Sequence, residues 1–223
     1  MKIQRVQRLR VTIGLFVVFT LWTAAVRLID VQPIGPNGSV VGFSAWNAAV
    51  HDWIGVHWTL YMITDWLGLV PVCFMLGFAI LGLIQWVQRK RIFSVDRDII
   101  ALGGFYLIVT AVYLFFEQFV VNYRPVLVNG LLEASYPSST TLLVLTVMPT
   151  AMMQLYSRIR NPVFRRGAML TISVLIAFMI IARFFSGVHW MTDIVGGILL
   201  SGSLVMLYAF VIGSEEGNHT DES

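Results

Sequence analysis

Apolar residues run through this chain in long stretches, without the alternation of a half-buried strand or the single apolar stripe of a soluble helix. Six stretches, near residues 11–29, 67–87, 99–120, 140–155, 168–181 and 192–212, approach the roughly 20 residues an α-helix needs to cross a hydrocarbon core. The fourth and fifth are short by apolar count, so each is expected to borrow its polar flank. Between the first two stretches, Pro33, Gly35, Pro36, Asn37 and Gly38 signal turns, and Trp46, Val50, Trp53 and Trp58 then follow amphipathically. Segment 30–66 therefore reads as a short helix lying in the membrane interface, its tryptophans at headgroup depth. No repeat, low-complexity tract or linker divides the chain. The pattern predicts one all-α membrane domain over residues 1–223, a bundle of six transmembrane helices with a short interfacial helix.

Composition excludes the soluble alternatives. Apolar residues make up 57% of the 223 and charged residues 12%, against about 25% charged in soluble domains. A soluble fold this small has too little interior for so much apolar surface. The distribution of charge then orients the chain. Lys2, Arg5, Arg8 and Arg10 precede the first stretch, Arg89, Lys90, Arg91 and Arg97 join the second to the third, and Arg158, Arg160, Arg165 and Arg166 join the fourth to the fifth. An even number of spans puts all of these on one side, leaving Arg27, Arg124 and Arg183 for the other. The positive-inside rule makes the first side cytoplasmic, with both termini there, as expected of a protein of the plasma (inner) membrane. The net charge of +3 is thus explained by loops, and no nucleic-acid partner is expected. The basic, apolar start is read as a retained first span, its apolar run being long for a secretory signal core. The acidic end at 215–223 reads as a solvated tail, and Cys73, the single cysteine, has no internal disulfide partner.

Candidate chemistry collects on the other side. Arg124-Pro125 follows the third stretch, Pro137-Ser138-Ser139-Thr140 opens the fourth, and Arg183, His189 and Asp193 fall between the fifth and the sixth. Guanidinium forks pair with phosphate oxygens. A helix start offers free N–H groups to an anion, to which Ser138 and Ser139 add hydroxyls, although serines there also serve as ordinary caps. His189 and Asp193 are four apart, which on one helix face lets the carboxylate take one ring N–H and leaves the other nitrogen free to attack. Ionisable groups near a bilayer are costly, which favours function over a structural charge pair. His51, His57 and Asp65 read as exposed polar groups of the interfacial region, and Gly196, Gly197, Ser201 and Gly202 as contacts for close helix packing. No grouping has the spacing of a metal site.

These residues resemble the three motifs of the type 2 phosphatidic acid phosphatase (lipid phosphate phosphatase) superfamily: K-x6-R-P, then P-S-G-H or similar, then S-R-x5-H-x3-D. The third runs here from Ala182 to Asp193, with Arg183, His189 and Asp193 in register and Ala182 in place of serine. The resemblance implies His189 as a nucleophile that becomes phosphorylated and Asp193 as its assistant. It implies Arg124 and Arg183 as a phosphate clamp, with Ser138, Ser139 and Thr140 alongside. It also implies a lipid phosphate or diphosphate substrate drawn from among membrane lipids, and no cofactor. Two departures stand out: Glu117 occupies the lysine position of the first motif and Thr140 the histidine position of the second. Glu117 has three readings: a partner for Arg124, a replacement proton donor, or a bystander in a polar cavity. Threonine is a poorer general acid than histidine, a deficit that hurts an alkoxide leaving group more than a lipid monophosphate. The expected activity is therefore hydrolysis of a lipid mono- or diphosphate at the extracytoplasmic face, with polyprenyl-type diphosphates favoured. A catalytically silent relative that binds phospholipid or a partner protein, and a lipid phosphotransferase, are the alternatives.

Overall fold

A computed structural model describes residues 2–91 and 94–213; the tail at 215–223 lies outside them. The helices are α1 (Lys2–Leu28), α2 (Ser44–Ile54), α3 (Trp58–Leu67), α4 (Leu69–Arg89), α5 (Arg97–Gln118), α6 (Ser139–Arg158), α7 (Pro162–Phe185) and α8 (Met191–Gly213), and a 3-10 turn lies at Pro36–Gly38. Each predicted stretch falls largely within one of α1, α4, α5, α6, α7 and α8. The largest boundary differences are at α1, which starts nine residues before the predicted 11, and at α7, which starts six residues before the predicted 168. Asn161 caps it, its Oδ1 accepting from the N–H groups of Val163 and Phe164, and Pro162 occupies the first helical position, where a missing N–H costs nothing.

Among the described residues, five runs are long and apolar enough to cross a membrane: Ile3–Leu28, Trp58–Arg89, Arg97–Gln118, Pro162–Phe185 and Met191–Gly213. The fourth predicted span, α6, is absent from that set because it packs against α4, α5, α7 and α8 and needs little lipid-facing surface. Its polar residues Thr141, Thr146, Thr150 and Gln154 are buried in the bundle. Thr146 and Thr150 donate to the carbonyls of Leu142 and Thr146, and Gln154 Nε2 donates to Tyr208 Oη at 2.7 Å. Polarity that lowers the hydropathy of α6 is thereby satisfied inside the protein.

Segment 30–66 corrects the expectation of one interfacial helix. Gly55, at φ 69°, ends α2, and α3 continues through Gly68, whose φ and ψ are helical, into α4. Only α2 remains a short separate helix, exposing Trp46 and Trp53. Asn47 latches it to the start of α8, its amide donating to Thr192 Oγ1 at 3.0 Å while its carbonyl accepts from the Thr192 N–H.

Helix α8 packs against α1 and α6, and its small residues make this possible. A Cβ at Gly196 would lie 2.6 Å from the Tyr136 ring, so that position requires glycine for close approach, and one at Gly197 would press on Thr141 at 3.1 Å. Tyr136 is pinned there by a 2.6 Å hydrogen bond to Thr23 of α1 and stacks on Phe19.

Two connections at the α6 and α8 starts shape the site. Between α5 and α6 the chain folds back as a small antiparallel hairpin with bridges Tyr123–Ala134 and Val128–Leu131. Its tip is Asn129-Gly130, both at positive φ, the sequence such tight turns favour. Between α7 and α8, Gly187 at φ +68° approaches the Gly55 carbonyl so closely that a Cβ would lie 1.9 Å from its oxygen. The His57 N–H donates to Ser186 O at 2.9 Å across the same contact.

Candidate active site

The start of α6, the start of α8, the end of α7 and the α5–α6 hairpin converge at one end of the bundle. Of the sequence candidates, Arg124, Arg183, His189 and Asp193 meet there and are all buried.

His189 does not share a helix face with Asp193 as its four-residue spacing suggested. Helix α8 begins at Met191, so His189 lies in the preceding loop, and its Nδ1 is 4.0 Å from Asp193 Oδ2, too far for a hydrogen bond. Ser135 fills the gap. Its hydroxyl lies 2.6 Å from Asp193 Oδ2 and 2.9 Å from His189 Nδ1. An ionised carboxylate only accepts, so the single Ser135 proton goes to Asp193, and Ser135 Oγ must in turn accept from a protonated Nδ1. This fixes the tautomer: Nε2 carries the free lone pair and accepts from Arg183 Nη2 at 3.3 Å. Burial, reinforced by Arg124 and Arg183, holds the imidazole well below its ordinary titration range and therefore neutral.

Asp193 is fully engaged. Its Oδ2 also accepts from the Trp190 N–H at 2.9 Å, and its Oδ1 accepts from Asn122 Nδ2 at 3.2 Å. The first of these bonds satisfies a donor just before α8, as the third residue of a capping box does. Asn122 is positioned by its carbonyl, which accepts from the Ser135 N–H at 2.9 Å.

The guanidiniums of Arg124 and Arg183 both face the ring of Tyr61, at 6.0 and 4.9 Å from its centroid, so one π-face helps two cations share a buried site. Arg183 Nη1 also donates to Thr64 Oγ1 at 3.2 Å. Arg124 pairs with Glu133 across the hairpin, Nε to Oε2, at 3.1 Å. This removes the reading of Glu117 as the partner of Arg124: Glu117, exposed at the end of α5, lines a small pocket with Tyr113, Ser135 and Ser139 instead. Donors remain over. Among the described residues, Arg124 Nη1 and Arg183 Nε are buried with no hydrogen-bond acceptor, a costly state that an oxyanion would relieve.

The α6 start divides the three hydroxyl candidates. Ser138 is fully buried as the cap of α6: its Oγ accepts from Thr141 Oγ1 at 3.0 Å and its N–H donates to Asp193 O at 3.1 Å. The cap reading therefore accounts for Ser138. Ser139 and Thr140 form the first turn and are half-buried, and the N–H groups of a first turn have no partner within their own helix. His51, read as an exposed polar group, instead packs its ring on Trp190 at 5.4 Å. Ser135, Asn122, Glu133, Tyr61 and Thr64 carried no sequence signal. Ser135 could have been suspected only because it stands two residues before Pro137.

The sequence profile of the PAP2 superfamily matches residues 69–214, a span that includes Arg124, Arg183, His189 and Asp193. Comparison with curated proteins yields no significant match. Among solved structures the fold is similar to the crystal structure of a transmembrane PAP2-type phosphatidylglycerolphosphate phosphatase from Bacillus subtilis. The TM-score is 0.59 at 19% identity, over 93% of this chain and 96% of that one. With its apolar helices, its motif spacing and this agreement, the chain is an integral membrane protein that belongs to the PAP2 superfamily.

Proposed function

We propose that the protein is a lipid-phosphate phosphatase working through a phosphohistidine on His189. In this reading residues 1–223 form one membrane domain with six spans, α6 included. Both termini are cytoplasmic and the His189 site opens to the extracytoplasmic face of the plasma membrane. The observation that carries the reading is the setting of His189 Nε2: a neutral ring with its other nitrogen tied through Ser135 to Asp193, beside buried arginine donors that lack acceptors.

The phosphate enters with its oxygens on the spare donors of Arg124 and Arg183 and on the N–H groups of Ser139 and Thr140. Arg183 Nη2 exchanges its bond to Nε2 for one to a phosphate oxygen, which releases the lone pair. Nε2 attacks phosphorus, the P–N bond forms and the bond to the leaving oxygen breaks. The positive charge gained by the ring is stabilised through Nδ1–H, Ser135 and Asp193, and the arginines hold the charge on the equatorial oxygens. Water then attacks phosphorus, the P–N bond breaks, and inorganic phosphate leaves with Nε2 restored.

With Thr140 in place of an imidazole, the leaving group departs with little help from the protein. A lipid monophosphate leaving from a diphosphate tolerates this better than an alkoxide does, so polyprenyl-type diphosphates are the preferred class. The Bacillus enzyme is named for a monoester, phosphatidylglycerolphosphate, which makes that lipid the informative comparison substrate. The same departure supports a second reading, a silent member that binds phospholipid without turnover. Purified protein incubated with a polyprenyl diphosphate, phosphatidic acid and phosphatidylglycerolphosphate, with His189→Ala alongside, separates the two. Phosphate release by the wild type that is lost in the variant supports the phosphatase, and binding without release supports the silent reading.

A further inference from the structure

The end of the bundle opposite His189 holds a cavity of about 1110 Å³, where α1, α5 and α7 begin and α4, α6 and α8 end. Its lining includes Arg8, Arg89, Asp96, Arg97 and Asp98 together with the apolar Met152, Met153, Met169 and Ile212. The two carboxylates are already engaged. Asp96 accepts from Gln85 at 2.8 Å and pairs with Arg89 at 2.9 Å and Arg158 at 3.5 Å. Asp98 pairs with Arg158 at 2.7 Å and accepts from the Ile99 N–H at 3.0 Å. Arg8 donates to Ala209 O at 2.7 Å, which holds its guanidinium at the end of α8. Among the described residues neither Arg8 nor Arg97 has a carboxylate partner.

The uncommitted charge of this cavity is therefore positive, and its volume lies just above the roughly 300–1,000 Å³ usual for ligand pockets. We infer that it is a second binding site, for the phosphate of an anionic amphiphile, held by Arg8 and Arg97 with the apolar portion against the methionines. Flexible thioether side chains suit an acyl or glycerol segment of variable shape. An inner-leaflet phospholipid and a soluble phosphate ester share the phosphate chemistry, and the methionine lining favours the lipid. This site is independent of any chemistry at His189.

Full-length protein in phosphatidylcholine nanodiscs doped with phosphatidylglycerol, released and read by native mass spectrometry, measures the anionic lipid retained. Wild type and His189→Ala should retain it equally. Arg97→Gln should lower retention at least about tenfold, and Arg8→Gln likewise. Arg10→Gln, an exposed arginine outside the lining, should cost no more than the roughly fivefold of one basic residue near an anionic membrane. Because Arg8 also braces α8, Arg8→Lys serves as a check: it keeps the charge and should retain most of the lipid. Persistence of the bound lipid in excess inorganic phosphate identifies the membrane as the source. Displacement identifies a soluble phosphate ester and leaves the anion site standing. Equal losses in Arg97→Gln and Arg10→Gln, or no loss in either, would overturn the proposal.

Discussion

Replacing Ser135 by alanine tests the arrangement around His189 most directly. The variant removes one oxygen atom and leaves His189 Nδ1 and Asp193 Oδ2 facing each other across 4.0 Å. Two buried hydrogen bonds go, one of 2.6 Å to a carboxylate and one of 2.9 Å to the ring. A bond to a charged partner is worth about 1.5–3 kcal/mol and a neutral one about 1 kcal/mol. Both strengthen as the ring gains charge during attack, so a transition-state loss of about 2–4 kcal/mol is expected, or roughly 30- to 1000-fold in kcat/KM. The assay is phosphate release from a polyprenyl diphosphate, run beside thermal unfolding to confirm that the fold survives. Ser135→Thr, which keeps a hydroxyl, should recover most of the activity. Nitrogen NMR of the His189 ring should show the Nδ1–H tautomer in wild type and a mixture in Ser135→Ala. If Ser135→Ala retained kcat/KM within threefold of wild type while Asp193→Asn was crippled, the serine bridge would be dispensable and the reasoning refuted.

Four further outcomes follow from the same geometry. His189 must be neutral to attack and its titration is depressed, so the acidic limb of kcat/KM should lie below pH 6.5 and move upward in Arg183→Gln. The unfolded chain takes up the proton that folded His189 refuses, so this residue makes stability fall as pH drops below 6.5 and contributes nothing above it, measurable by chemical denaturation. Thr140→His should raise phosphatidic acid turnover by about 10²-fold or more and change diphosphate turnover far less; equal gains on both would defeat the leaving-group argument. In a Cys73→Ser background, cysteines at Asn129 and Asn161 should label from opposite sides of the membrane, and labelling from one side would contradict the topology.

The helices were legible because a membrane-crossing run advertises itself through length and apolarity alone. Where the reading slipped, a local feature outweighed the running average. Gly55 split the 30–66 segment, and helical backbone at Gly68 joined its second half to α4. Asn161 and Pro162 carried α7 beyond its apolar limit. Of the site, the motif residues could be found because their spacing is local. Their partners come from remote segments, and no pattern in the chain announces that Glu133 will answer Arg124 across a hairpin or that Tyr61 will face two arginines. The spacing of His189 and Asp193 suggested direct contact because it assumed a helix that in fact begins two residues after the histidine.

One carboxylate serves two masters in this molecule. Asp193 Oδ2 receives the Trp190 N–H that precedes α8 and, through Ser135, steadies the proposed nucleophile. Alanine at this position would fray the start of a helix and loosen a catalytic ring together, and lost activity could not be credited to either. Asparagine separates them: its single oxygen can still receive the Trp190 N–H, while the negative charge that would balance a phosphorylated ring is gone. Folding and reactivity are thus wired through the same oxygen, so drift at this position is constrained even where turnover is not under selection.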